Sequence, residues 1–297
     1  MHASASGTPR RILLATDLAP RSDRALDRSL QLARAWGAEL VAATVVEENA
    51  AEACAMLLPD PPAWYRAEDP LHRAERLLHQ AIAEHDVPVR VRVAEGDAAA
   101  QLLEIAREED CGLVITGVAR QEGLGRIVLG STVDRIVRRC PVPVLAVRGR
   151  THAPYQRMVV ASDWSEASAT AMRTGMALFP DASPVLLHGY DVPRAGLLDV
   201  ARDEAIAAAA EQAQEQARVF LEQVRPPAGA DSVPVVAERG DPALLLTVYA
   251  HQYPVDLAVV ASRDRPPLSE LVLGSTARRL LEASPVDTLM VPGPGEG

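Results

Sequence analysis

The chain has 297 residues, of which 40 are acidic and 30 basic, giving a formal net charge of −10. That balance argues against nonspecific binding to nucleic acid or to an anionic membrane, since both need a basic surface. Aromatic residues supply only 3% of the chain, so the core must be built of Val, Leu, Ile and Ala, which suits helices packed on a parallel sheet.

The length predicts about two domains. Met1 to Arg10 reads as a short polar tail and not as a secretory signal. No apolar run is long enough to span a bilayer, so the expected compartment is the cytoplasm. Arg11 to Thr16 predicts a first strand, ended by Asp17. Ser22 to Trp36 predicts a helix with Leu26, Leu30 and Ala33 inward and Gly37 as its stop. Leu40 to Val46 predicts a second strand, followed by an irregular connection holding Pro59, Pro61 and Pro62. A helix from Asp69 to His85 follows, with Leu71, Ala74, Leu78 and Ile82 on one side. Val87 to Val93 predicts a third strand, placed at an edge by Pro88, and Asp97 can cap a helix running to Glu109.

Leu113 to Thr116 predicts a buried fourth strand, and behind it lies a glycine-rich stretch, Gly117 to Thr132. Val133, Ile136 and Val137 then mark one face of a helix. The order is therefore strand, glycine-rich loop, helix start. A helix start offers unpaired N–H groups and the positive end of the macrodipole, and Ser131 and Thr132 add hydroxyls, a combination that suits a phosphate. The plainer reading has the glycines turning the chain and Ser131 capping the helix. Pro141 stops that helix, and Val142 to Val147 predicts a fifth strand.

The second half repeats this order. Gly96, Gly130 and Pro141 are matched by Gly240, Gly274 and Pro285, each 144 positions on, and Asp17 is matched by Asp163, 146 positions on. Motifs kept in register over such a distance mean a duplicated domain. The boundaries are placed at 1–150 and 151–297, with Gly149 to Tyr155 as linker. One helix of the second half is long, Asp199 to Val224, with Ile206, Ala210, Ala213, Ala217, Phe220 and Leu221 as its stripe. Strand–helix alternation predicts an α/β fold with a parallel sheet and helices on both faces. Ligands of such sheets sit at the carboxyl ends of the strands where the strand order reverses. If strands 1 and 4 flank that point, Asp17, Gly117 and the Gly130-Ser131-Thr132 turn share one crevice, which favours the phosphate reading for the first half.

These residues resemble the universal stress protein family in its tandem two-domain form, over nearly the whole chain. The resemblance rests on the first strand with its terminal Asp, the Gly-Asp before the third helix, and the Gly-Ser-Thr turn followed by a Pro-Val strand. It implies two flavodoxin-like (Rossmann-like) domains, each a five-stranded parallel sheet of order 3-2-1-4-5, and pairing of the two domains within the chain through their last strands, with room for a further homodimer. One branch of the family binds ATP through Gly-x2-Gly-x9-Gly-Ser/Thr, and another lacks the pattern and does not. The first half has Gly117 and Gly130-Ser131, with Arg120 in place of the middle glycine; the second has Ala261, Asp264 and Gly274-Ser275. Carried over, the resemblance implies an adenine nucleotide, with or without Mg. Asp17 would hold its ribose or adenine side, Thr16 and Val45 would line the base pocket, and Gly117, Gly130, Ser131 and Thr132 would hold the phosphates. Asp163, Gly274, Ser275 and Thr276 would stand in the equivalent places. Loop charge ranks the first half as the better site, because Arg120 and Arg126 can face a phosphate while Asp264 would repel one.

An enzyme is the first rival. The seven histidines sit in no catalytic motif, there is no nucleophile elbow or Walker sequence, and the family's members are at most very slow ATP hydrolases. His188 reads as structural. A response-regulator receiver would need an acidic cluster beside Asp17, and a flavodoxin a hydroxyl-rich loop where Leu18-Ala-Pro-Arg21 stands. The other rival is a scaffold that binds no nucleotide and acts through protein partners. Cys111 and Cys140 read as small core residues, and with Cys54 they fit no metal pattern. Trp36, Trp64 and Trp164 read as packing residues, with cover for a ligand pocket as the alternative for Trp164. The expectation is a nucleotide-binding stress adaptor that is not a catalyst.

Overall fold

The computed structural model describes residues 7–48, 62, 68–83, 85–118, 130–192, 199–227, 229–262 and 273–294. They fall into two units that divide between Thr151 and His152. Cys54, Trp64 and most of the connection after the second strand lie outside the described residues.

The first unit runs β1 (Arg11–Ala15), α1 (Asp23–Trp36), β2 (Glu39–Val46), α2 (Pro70–Ile82), β3 (Val89–Glu95), α3 (Ala98–Glu108), β4 (Leu113–Gly117), α4 (Ser131–Arg139) and β5 (Val144–Val147). Its strands pair in parallel in the order β3-β2-β1-β4-β5. Ile12, Leu13, Leu14, Leu113 and Ile115 are fully enclosed, which is why β1 and β4 read as unbroken apolar runs. The stripe of α1 is Ala25, Ser29, Leu32 and Ala33 along with Leu30; Leu26 is only half-buried. Gly37 closes α1 at φ 61°, a conformation that favours glycine. β3 and β5 start two residues later than the sequence predicts. Pro88 and Pro143 have no N–H to donate, and each ladder opens on their carbonyls, which accept from Leu40 and Val114.

The amino ends of these strands carry an ion-pair network. Arg11 Nε and Arg90 both donate to Glu39, at 2.7 and 3.1 Å, and Arg90 also pairs with Glu109 at 3.2 Å. Arg92 joins Glu109 to Glu108, and Arg11 donates to the Glu109 carbonyl at 3.0 Å. Cys111 and Cys140 are buried in the core; burial pushes their thiols up to about 12 and about 11.

The second unit runs β6 (Arg157–Ala161), α5 (Glu166–Leu178), β7 (Ser183–Tyr190), α6 (Asp199–Val224), β8 (Val235–Arg239), α7 (Pro242–Gln252), β9 (Leu257–Ala261), α8 (Ser275–Ala283) and β10 (Asp287–Val291). Its parallel order is β8-β7-β6-β9-β10, the same 3-2-1-4-5 arrangement. α6 has the bounds its stripe predicts, with Ala213, Ala217, Phe220 and Leu221 buried. Tyr155, assigned to the linker from sequence, belongs to the core instead. Its ring is buried edge-on to Phe179 at 5.0 Å, and its hydroxyl is 2.6 Å from the buried Asp287 carboxylate. Among the described residues no helix is long and apolar enough to cross a membrane.

Candidate functional site

Each unit ends its first strand in the same turn. In the first, Leu18 N–H donates to Thr16 Oγ1 at 3.0 Å, and Ala19 N–H and Ser22 Oγ donate to Asp17 Oδ1 at 3.1 and 2.7 Å. In the second, Trp164 N–H donates to Ser162 Oγ at 3.1 Å, and Ser165 N–H and Ser168 Oγ donate to Asp163 Oδ1 at 3.1 and 2.6 Å. The residue after each aspartate, Leu18 or Trp164, is forced to positive φ, 58° and 68°. That backbone is strained for a large side chain and persists because the aspartate and hydroxyls fix it from both sides. Burial raises the pKa of both aspartates. The Ser22 hydroxyl, the Ala19 N–H and Arg21 hold Asp17 below the usual carboxylate range all the same, and Ser165 and Ser168 do so for Asp163.

The fourth helix of each unit starts at the same crevice. α2, α3, α5 and α7 are each capped by a side chain: Asp69, Asp97, Ser165 and Asp241. α4 and α8 begin instead on Gly130 and Gly274, with no side-chain cap. Ser131, a possible cap on its sequence position, is the first helical residue and caps nothing. Its counterpart Ser275 stands likewise at the head of α8. The first-turn N–H groups of both helices are thus left to whatever occupies the crevice. A Cβ placed on Gly274 would meet nothing within 4 Å, so the space before α8 is open.

The crevices are cavities of about 210 Å³ in the first unit and 520 Å³ in the second. Thr16, Asp17, Val45 and Gly117 line the first, and Gly130, Ser131 and Thr132 close it. Asp163, Gly274, Ser275 and Thr276 line the second. The sequence-predicted residues therefore converge, except Arg120, which lies outside the described residues with Arg126 and Asp264. Gly117 has a packing reason of its own: a Cβ there would stand 3.3 Å from the Arg21 carbonyl. Trp164 lies against His188 and Phe220, with ring centroids 4.3 and 5.5 Å away, and does not line the cavity.

A model of the universal stress protein family matches residues 8–148 and again 154–292. The chain belongs to the universal stress protein family. A universal stress protein of Mycolicibacterium smegmatis is 25% identical over 237 residues, 76% of each chain. A protein of unknown function from Pseudomonas aeruginosa superposes with a TM-score of 0.69 at 18% identity, over 97% of this chain and 94% of its own. A universal stress protein solved in complex with cAMP is 26% identical and covers 48% of this chain and 98% of its own, with a TM-score of 0.35.

Within this universal stress protein, the residues that set the difference between the two crevices belong to no motif. Arg21 pairs with Asp17 Oδ2 across the mouth of the first crevice, and the position 146 residues on is Ala167. Val45 in the first crevice is matched, 144 residues on, by Gly189 in the second. Ala167 leaves the mouth of the second crevice without the arginine, whereas at Gly189 the Gly240 carbonyl and Pro242 N stand where a Cβ would go. His188 joins its lining, with Nδ1 donating to the Ser162 carbonyl at 2.8 Å, which fixes the ring tautomer. The repeat register is the sequence signal that could have found the two replacements, since it pairs each residue with its smaller counterpart.

Proposed function

We propose that the protein is a cytoplasmic stress adaptor that binds an adenine nucleotide and performs no catalysis, with the second unit as its principal site. The observation that carries this reading is the uncapped, glycine-led start of α8 facing a cavity of about 520 Å³ at the point where the strand order reverses. Phosphate oxygens would take the first-turn N–H groups of α8 and the hydroxyls of Ser275 and Thr276. Asp163 has Oδ1 engaged by Ser165 and Ser168, and neither serine reaches Oδ2. That oxygen is placed to accept a ribose hydroxyl. The first unit has the same parts in less space, and Arg21 already holds Asp17 Oδ2. Loop charge ranks the two units the other way; cavity volume and that carboxylate oxygen put the second unit first.

The test is Gly274→Asp. Open space around Gly274 accommodates the side chain, and aspartate is a good N-cap, so α8 should gain stability. A carboxylate at that place repels phosphate. Calorimetric titration of the full chain with ATP should show binding to the wild type and its loss in Gly274→Asp, with thermal stability kept. Unchanged ATP affinity in the variant would overturn the assignment.

A second reading, a scaffold acting through a protein partner alone, is favoured by the outer face of α7. Leu244 and Val248 are 62% and 58% exposed there, where α3 carries Ala100 and Glu104. Absence of ATP binding in the wild type would turn the assignment to this reading.

A further inference from the structure

The amino ends of the strands in the second unit hold a cavity of about 450 Å³, at the opposite pole from the nucleotide crevice. Arg157, the first residue of β6, opens onto it. Arg157 stands where the first unit has Arg11, and the surrounding positions of the network have all been exchanged. Glu39, the register neighbour of Arg11, is replaced by Ser183, the register neighbour of Arg157. Arg90 becomes Pro234, Arg92 becomes Val236, Glu108 becomes Gln252 and Glu109 becomes Tyr253. The cation has been kept while its acidic partners have been removed.

Among the described residues the Arg157 guanidinium has neither a hydrogen bond nor an ion pair. The carboxylate bonded to this corner, Asp256, has Oδ2 taken by the N–H groups of Gln156 and Arg157, at 2.9 and 3.0 Å, and it does not line the cavity. The walls come from Pro184, Pro234 and Pro254, and the polar groups that line the cavity along with the arginine are Ser183, Ser232 and Tyr249. Tyr249 lies within electrostatic reach of Arg157. Proline rings hold their shape, so little ordering is needed when a ligand enters. The volume is that of a small-molecule site.

We propose that this cavity binds a small apolar carboxylate, an aromatic or branched-chain acid whose carboxyl group pairs with Arg157 and whose body lies against the three prolines. A guanidinium forks onto a carboxylate with two parallel N–H bonds, and a single cation amid apolar walls matches a single negative charge. A phosphate ester would bring a second charge with no second cation to meet it.

The experiment titrates the full chain with phenylacetate and with isovalerate, and with phenylacetamide as the neutral counterpart. The acids should bind, and phenylacetamide should bind roughly tenfold more weakly or worse, as expected for loss of a charge-assisted hydrogen bond. Arg157→Gln should remove the preference for the acid. Ser183→Glu rebuilds the Arg11–Glu39 pair of the first unit and should abolish acid binding while the far-ultraviolet circular dichroism stays unchanged. Gly274→Asp, at the opposite pole, should leave acid binding intact. Binding by neither acid, or acid affinity that is the same in wild type, Arg157→Gln and Ser183→Glu, would overturn the proposal.

Discussion

The two crevices are built on one plan and differ in what fills them. Both have the aspartate turn, the positive-φ residue behind it and the uncapped helix start. Arg21 and Val45 line the first, Ala167 and Gly189 stand at the matching places in the second, and the cavities measure about 210 and 520 Å³. The lesson is that duplication preserved the backbone turn and the helix start of the crevice, while the side chains around them changed.

The comparison breaks most severely at Gly189. A Cβ at that position would stand 2.6 Å from the Gly240 carbonyl and 3.0 Å from Pro242 N. These are backbone atoms and cannot swing aside. Gly189→Val, which gives the second unit the residue of the first, should cost about 3 kcal/mol or more through overpacking. Urea unfolding measures it; a variant as stable as the wild type would show that the Gly240–Pro242 backbone can yield at this approach.

Arg21→Ala sharpens the comparison from the other side. Arg21 is exposed, so the fold should tolerate its loss, and Asp17 Oδ2 is released. Nucleotide affinity of the first unit should rise roughly ten- to a hundredfold, the value of one hydrogen bond to a charged group. Calorimetry should then count two ATP sites per chain where the proposed function expects one strong site of the wild type. A stoichiometry that stays at one would mean that Arg21 is not what restricts the first crevice.

The smallest expected effect is acid dependence. Asp17 and Asp163 both titrate below the usual carboxylate range because hydroxyls and N–H groups hold the ionised form. Each therefore contributes stability that is fully present above the unfolded value, about 3.9, and lost as pH falls through the lower folded value. The melting temperatures of wild type and Asp163→Asn should differ by a constant amount between about pH 5 and 8 and begin to converge only as pH falls below roughly 4. A difference that varies across the neutral range would point to another group.

Much of this architecture is legible in the residues. Unbroken apolar runs such as Ile12-Leu-Leu14 report strands covered on both faces, and the Gly130/Gly274 register reports two helix starts of one kind. What sequence could not supply is which neighbour each polar side chain meets. Asp17 looks equally like a ligand for ribose and like a turn residue until Ser22 and Arg21 are seen on its oxygens. Tyr155 follows a proline in a polar stretch and reads as linker, because its partners, Phe179 and Asp287, are far along the chain. The Arg11 network is hidden for the same reason: its members come from three strands and the end of a helix.

Cys111 and Cys140 bear on how a stress protein of this kind can answer an oxidant. With thiol pKa values of about 12 and about 11, fewer than roughly one in a thousand is thiolate at neutral pH, and the thiolate is the form that peroxide attacks. Both sulfurs are also enclosed. Oxidative stress should leave these two thiols reduced while other cellular thiols climb to sulfenic acid. Once Cys54 is replaced by serine, the same inertness makes the chain convenient for spectroscopy, since a cysteine introduced at the rim of either crevice would take up a maleimide dye long before Cys111 or Cys140 reacts.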